Sequence, residues 1–214
     1  MNSDYWINKW QAGETRFHQS QYHSLLVKYA NRLKQGTILV PLCGKTLDML
    51  FLLQQGHSVI GVELSPIACK DFFEENNIEY KKRDSNGFTI YESEKITLWC
   101  GDFFKLPSDV WNAVTGIYDR AALIALPLDV RQKYAAEINA RSKSGCEVLL
   151  ITLEYHQDAF KGPPFSVTEE EIASIYKSFT LEKLQAEKEL KITKDNPNFK
   201  EIELLETIYW LQKN

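Results

Sequence analysis

The stretch from Thr37 to Ser65, TILVPLCGKTLDMLFLLQQGHSVIGVELS, limits the fold of this chain more than any other. It opens on an apolar run, Ile38-Leu39-Val40, long enough for a buried strand and too short for a helix. Pro41-Leu42-Cys43-Gly44 breaks that run. Leu47, Leu50, Phe51 and Leu53 then recur at helical spacing until Gly56, which stands where helices commonly stop. A second apolar run, Val59 to Val62, ends on a carboxylate, Glu63. The unit reads as strand, turn, helix and parallel strand, the first half of a nucleotide-binding α/β fold.

Ligands of open parallel sheets bind outside the carboxyl ends of the strands, so the turn at Leu42–Lys45 and the acid Glu63 line one cleft. Glu63 follows Gly44 by 19 residues, the placement of an acid that accepts hydrogen bonds from two ribose hydroxyls. PLCGKT holds one glycine where a dinucleotide fingerprint needs three, and no phosphate-binding G-x-x-x-x-G-K-[ST] run occurs. A nucleoside ligand without phosphates fits better, and S-adenosylmethionine is the common one. An ordinary tight turn with an exposed acid is the competing reading.

With 214 residues, 44% of them hydrophobic and 25% charged, the chain has the composition and length of one globular domain. The net charge of −4, without a basic block, argues against nucleic-acid binding. No run approaches the ~18 apolar residues of a membrane span, and residues 1–20 lack the apolar core of a secretory signal. Cys43, Cys69, Cys100 and Cys146 are scattered singly, which suits reduced thiols of a cytoplasmic protein and not a zinc site. No metal is expected, and a monomer is the default.

The other segments fall into the same pattern. Trp6 and Trp10 share one face of an N-terminal helical turn and form either a lid over the cleft or a packing arm. Phe17-His18 lies in a loop, and an amphipathic helix from about Gln21 buries Leu25, Leu26, Tyr29 and Leu33 before Gly36. Ser65-Pro66 opens a helix carrying Ala68, Phe72 and Phe73. A hairpin joins Phe88–Tyr91 to Ile96–Trp99, and the third sheet strand ends on Gly101-Asp102. Asp102 either accepts from an adenine amine or caps the next turn. Trp111 to Arg120 is expected as strand four, with Asp119 and Arg120 pointing opposite ways at its end. Arg120 either faces the ligand or forms a structural salt bridge. A helix over 129–144, strand five over 147–152 and a capping box at Thr168 follow. Two antiparallel strands, LEKLQAEKEL and LLETIYWLQ, close the chain. Five parallel strands with crossover helices and an antiparallel edge pair make a single Rossmann-like domain. It is divided into an aromatic lid and helix over 1–36 and an α/β core over 37–214, the architecture of class I methyltransferases.

Several segments match a known family. Trp6 and Trp10, FHQ at 17–19, VPLCGKTLDM at 40–49, GHSVIGVELS at 56–65, YDRAALIALP at 118–127 and GPPFSV at 162–167 occur in one order and spacing. In these the chain resembles thiopurine S-methyltransferases along nearly its full length. The resemblance implies transfer of a methyl group from S-adenosylmethionine to the sulfur of a small aromatic or heterocyclic thiol, leaving S-adenosylhomocysteine. It places Trp10, Leu42, Glu63 and Arg120 in contact with S-adenosylmethionine and Trp6 in the same lid. Gly44 lies in the same turn, and Asp102 and Phe103 stand where the family binds adenine. It also places Arg120 near the acceptor, where a cation favours the attacking thiolate. An anion meeting a cation yields neutral products, so a dry site under a tryptophan lid helps. No strong base is required; Asp119 is expected to orient the loop of Arg120, and His18 is either a proton acceptor or structural. Some members carry a second arginine before the last strand, where this chain has Asn198 and Lys200. Selenium or tellurium species, a nicotinamide oxidoreductase and a non-catalytic S-adenosylmethionine-binding protein are the alternatives.

Overall fold

The computed structural model describes residues 3–15, 17–156, 161–191 and 202–214. The organising unit forms as its pattern requires: β1 (Thr37–Pro41), α3 (Asp48–Gln54), β2 (Ser58–Glu63) and α4 (Pro66–Glu75). Ser65 caps α4 by accepting from the Ala68 N–H, and Pro66 takes the first helical position, where its missing N–H costs nothing.

Nine strands make one sheet, in the order β3-β4-β5-β2-β1-β6-β7-β9-β8. β5 (Ile96–Cys100), β2, β1, β6 (Val114–Arg120) and β7 (Glu147–Glu154) run parallel. β9 (Ile202–Lys213) and β8 (Phe179–Lys191) add the antiparallel edge. At the other edge, β4 (Phe88–Glu92) pairs antiparallel with β5, so the expected hairpin forms. Beyond it lies β3 (Lys81–Ser85), a strand the pattern did not mark. Its sequence, KKRDS, is almost wholly exposed and has no apolar alternation to read. The Asn86-Gly87 turn folds it back, and its charges suit an edge that must not pair further.

Alternation along β1 sends Leu39 to one face and Ile38 and Val40 to the other, so both faces need cover. On the Leu39 side, Ile117, Val148 and Leu150 pack against Tyr134, Ala135 and Ile138 of α6 (Leu128–Arg141). On the opposite side, Tyr118, Leu149 and Ile151 meet Leu25 and Leu26 of α2 (Ser24–Tyr29), Met49 and Leu52 of α3, and Phe72 and Phe73 of α4. Each such fully buried side chain contributes ~1.5–3 kcal/mol.

Two expected boundaries shift. Trp111 is not on a strand: it is buried in α5 (Ser108–Ala113), its ring 5.9 Å from Phe103, and β6 begins only at Val114. Pro107 at the cap and Asp109 in the first turn favour the helix there. The helix expected from Gln21 is shorter, because the His23 N–H donates to Asp48 Oδ1 at 2.8 Å and sets the start late. A single 3-10 turn over Ala30–Arg32 then ends it, with Leu33 already extended. Thr168 caps α7 (Glu169–Ile175) as expected, accepting from the Glu171 N–H. Among the described residues, no helix is long and apolar enough to cross a membrane. All four cysteines are free and buried.

Candidate active site

The cleft is built from the carboxyl ends of the parallel strands. After β1 the chain turns sharply, with Leu42 at φ +48° and Gly44 at φ +53°. Leu42 carries a side chain into that left-handed region, a local strain of the kind found at binding sites. The Cys43 N–H donates to the Val62 carbonyl at 3.0 Å, which ties the turn to β2. Glu63 completes the clasp: its Oε2 accepts from the Gly44 N–H and its Oε1 from the Ser65 N–H, both at 2.8 Å. Glu63 is 6% exposed. Burial pushes its pKa above the usual carboxylate value, and these backbone N–H groups pull it partly back. Each oxygen keeps lone-pair capacity for a ligand in the cleft.

Above this turn lies α1 (Ser3–Gln11). A Cβ on Gly44 would sit 3.0 Å from Trp10 Cζ2, so the buried indole rides directly over the glycine. The Phe17 ring stands edge-on to both Trp6 and Trp10, at 5.6 and 5.5 Å between ring centres. The arm is therefore a packed aromatic wall that also roofs the cleft, so the lid and the packing arm are one structure.

Trp6, Trp10, Leu42, Gly44, Glu63, Asp102, Phe103 and Arg120 all line one cavity of about 1390 Å³. Asp102 does what a capping residue does, its Oδ1 accepting from the Phe104 N–H at 3.0 Å, and it still faces the cavity. Phe103 is buried against Tyr134 at 4.9 Å. Arg120 makes no ion pair among the described residues; its guanidinium donates to the Phe17 carbonyl at 3.2 Å and otherwise faces the cavity. His18 lines the same cavity. Burial, then the nearby Lys45 and Arg120 charges, lower its pKa despite an opposing pull from Glu75, so it stands neutral. Its Nδ1 has no hydrogen-bond partner among the described residues.

Asp119 is the one predicted site residue that does not reach the cavity. It is fully buried on the other side of β6. Its Oδ1 accepts from the Leu123 N–H at 3.1 Å and its Oδ2 from the Tyr134 hydroxyl at 2.7 Å. Burial pushes its carboxyl up to about 6. It braces the segment after Arg120, where Ala121 takes φ +62°. Asn198 and Lys200 lie outside the described residues.

Sequence reading missed three parts of the site. Phe17 was placed only in a loop, although its ring separates the two tryptophans and its carbonyl holds Arg120. Tyr134, the partner of Asp119, is one of several apolar-face residues on α6 and carried no signal. Glu206 of β9 lines the cavity, 9% exposed, with its Oε1 3.3 Å from His23 Nε2.

The donor set suits a nucleoside better than a phosphate. Lys45, the cation nearest the turn, pairs with Glu75 at 2.6 Å and Asp71 at 3.6 Å on α4. A carboxylate at the end of β2, an apolar and aromatic wall and, among the described residues, no cation free of a partner at the turn would suit an uncharged ribose and a stacked base. The fold is that of a class I S-adenosylmethionine-dependent methyltransferase. A solved methyltransferase of that kind from Anabaena variabilis superposes with a TM-score of 0.67 at 14% identity, over 100% of this chain and 96% of that one. The Burkholderia thailandensis 1,6-didemethyltoxoflavin-N1-methyltransferase, solved with S-adenosylhomocysteine, superposes at 0.61 and 14% identity over 99% and 87%.

The family model for thiopurine S-methyltransferase matches residues 1–214. The enzyme of that name from Bordetella petrii is 45% identical over 179 residues, covering 82% of each chain. The one from Pseudomonas putida is 38% identical over 219 residues and covers 100% of both. The chain belongs to the thiopurine S-methyltransferase family.

Proposed function

We propose that this enzyme methylates the sulfur of a small aromatic or heterocyclic thiol. The observation that carries the reading is one cleft lined by Glu63, by an arginine with no ion pair among the described residues and by an aromatic arm. At about 1390 Å³ the cleft exceeds the ~300–1,000 Å³ of an ordinary single-ligand pocket, which suits two small molecules side by side.

Glu63 holds the ribose hydroxyls, Leu42 and Gly44 form the floor, and Asp102 and Phe103 flank the adenine. Trp6 and Trp10 close the site from above. Bound there, S-adenosylmethionine supplies a methyl group already activated on a sulfonium sulfur. The work left to the chain is positioning, which holds the acceptor sulfur ~3–3.5 Å from that carbon. Arg120 faces the acceptor and lowers the thiol pKa through its charge, so the thiolate is present without a strong base. Neutral His18, close to Arg120, can take the departing proton. Asp119 acts at one remove, fixing the loop that presents Arg120. The aromatic roof keeps water from stabilising the separated charges.

The test is a calorimetric and thermal-shift titration with S-adenosylmethionine and S-adenosylhomocysteine on wild type and Glu63→Ala, followed by turnover on aromatic thiols and selenium oxyanions. At a hundredfold excess over Kd, ligand binding stabilises by about 2.7 kcal/mol. Binding that weakens in the variant, with thiols as the acceptors consumed, is the expected result. Absence of binding refutes the cofactor site, and turnover on selenium species alone refutes the thiol.

A further inference from the structure

Two thiols meet beside the Glu63 clasp. Cys100, the last residue of β5, stands opposite Glu63 in the parallel register with β2. Cys69 lies in α4, which packs over the same face of the sheet, and both cysteines share one buried cluster with Phe72, Phe73 and Leu98. α-Carbons of α4 and β5 come within 8 Å of each other. A hydrogen bond between the two thiols is the largest influence on either: it lowers the pKa of Cys100 and raises that of Cys69. Burial opposes the first effect and adds to the second. Cys100 is therefore the thiol that gives up its proton more readily, and the thiolate is the attacking form. Cys43, third in the cluster, turns its thiol to the Gly44 carbonyl at 3.5 Å.

Both cysteines are tied to the loop that carries Glu63. Cys100 Sγ donates to the Leu64 carbonyl at 3.8 Å, and the Cys69 N–H donates to the Ser65 carbonyl at 3.2 Å. The Ser65 N–H in turn donates to Glu63 Oε1, and the Gly101 N–H to the Glu63 carbonyl, both at 2.8 Å. A disulfide holds its sulfurs ~2.05 Å apart, well inside the separation of two hydrogen-bonded thiols. Closing one here draws the start of α4 towards the end of β5 and takes the Cys100 donor from Leu64. Residues 63–65, attached to both sides, shift with it. Glu63, Leu64 and Gly101 line the cavity; Cys100 is 9% exposed beside them, whereas Cys69 is wholly buried. A water-sized oxidant in the cleft meets Cys100 first.

Resting on the Glu63 cofactor site, we propose that Cys69 and Cys100 form a reversible disulfide that weakens cofactor binding, with hydrogen peroxide as the oxidant. The Cys100 thiolate attacks one peroxide oxygen and the O–O bond breaks. A sulfenic acid forms, and the other oxygen leaves as hydroxide, which takes the proton Cys100 lost and becomes water. The Cys69 sulfur then displaces the sulfenic hydroxyl, which departs as water with the Cys69 proton. The two thiols give up two electrons in all, and one peroxide becomes two waters. A dithiol reductant reverses the bond by exchange. Cofactor binding and oxidation compete for one arrangement of residues 63–65, so the coupling is reciprocal. A disulfide that weakens binding tenfold raises the reduction potential of the pair by about 30 mV when cofactor is saturating.

The test treats the full chain with hydrogen peroxide, digests it without reduction and maps the cross-links by mass spectrometry. Calorimetry gives the S-adenosylhomocysteine Kd before oxidation, after it and after dithiothreitol. One linked peptide pair holding Cys69 and Cys100 is expected, with a Kd about tenfold weaker or more that dithiothreitol restores. In glutathione redox buffers, saturating S-adenosylhomocysteine should move the dithiol–disulfide midpoint by the matching potential. Cys69→Ala should form no cross-link, and Cys100→Ala should keep its affinity through peroxide treatment. Where a variant does not fold, the wild-type map and midpoint decide. No cross-link, a link between another pair, or a Cys69–Cys100 disulfide that leaves Kd unchanged overturns the switch while the cofactor site stands. Reduced wild type that binds no S-adenosylhomocysteine overturns both.

Discussion

Replacing Asp119 by Asn separates two tasks an acid beside Arg120 could have. The carboxyl is pushed up to about 6 from an ordinary 3.8 by burial. At ~1.36 kcal/mol per tenfold change, that gap is worth roughly 3 kcal/mol. The sign follows from which state holds the proton longer. Native Asp119 keeps its proton to higher pH than the unfolded chain does, so this contribution is full below pH ~4 and is lost as pH rises through ~6. Asn cannot ionise, yet its carbonyl can still accept from the Leu123 N–H and its amide can donate to the Tyr134 oxygen, so both braces survive. Urea unfolding at pH 4.5 and pH 7 should therefore show wild type losing about 2 kcal/mol more than the variant over that interval. Glu63, also raised by burial, tilts both proteins alike and cancels in the difference. In the turnover assay a bracing residue costs less than about tenfold, whereas loss of a general base costs ~10²–10⁴. Parallel stability curves would refute the burial argument. A hundredfold loss of turnover in a folded variant would refute the bracing role.

Other substitutions probe the rest of the cleft. Arg120→Ala should lower kcat/KM on thiols by about tenfold or more while the melting temperature of the free protein stays close to wild type, since Arg120 makes no ion pair among the described residues; unchanged kinetics would remove it from the reaction. Arg120→Lys keeps the charge and should recover part of the rate. Glu63→Ala strips the acceptor from the buried Gly44 and Ser65 N–H groups, at ~1–3 kcal/mol each, and should cost stability and cofactor affinity together. Trp10→Ala empties a buried site over Gly44 and should cost ~3–5 kcal/mol with weaker cofactor binding, read by calorimetry. Retention of wild-type affinity would reduce the arm to packing alone.

Local chemistry made much of this protein legible in one dimension. The change from strand to helical spacing after Val40, the acid at the end of the next strand and the Ser65 and Thr168 caps involve residues within a few positions of one another. Their physics does not depend on the rest of the chain, so the parallel core, the cleft and Glu63 could be read directly. The same reading failed at β3, where charge replaces apolar alternation and only pairing with β4 makes a strand. It failed at Trp111 too, whose apolar neighbours suit a strand or a helix equally.

What the tertiary structure decided are the meetings between distant residues. Alternation said that Asp119 and Arg120 part company, but not which of them lines the cavity; the packing of α6, with Tyr134 reaching Asp119, leaves Arg120 to do so. Nothing in the spacing joins His23 to Glu206, 183 residues apart, because the register of an antiparallel edge strand follows from how its whole apolar face fits the sheet. Sequence alone determined the turn after β1 and the acid that closes β2. Which side chains β9 turns towards the cleft depends on that register, and a one-residue slip would turn Glu206 away from it.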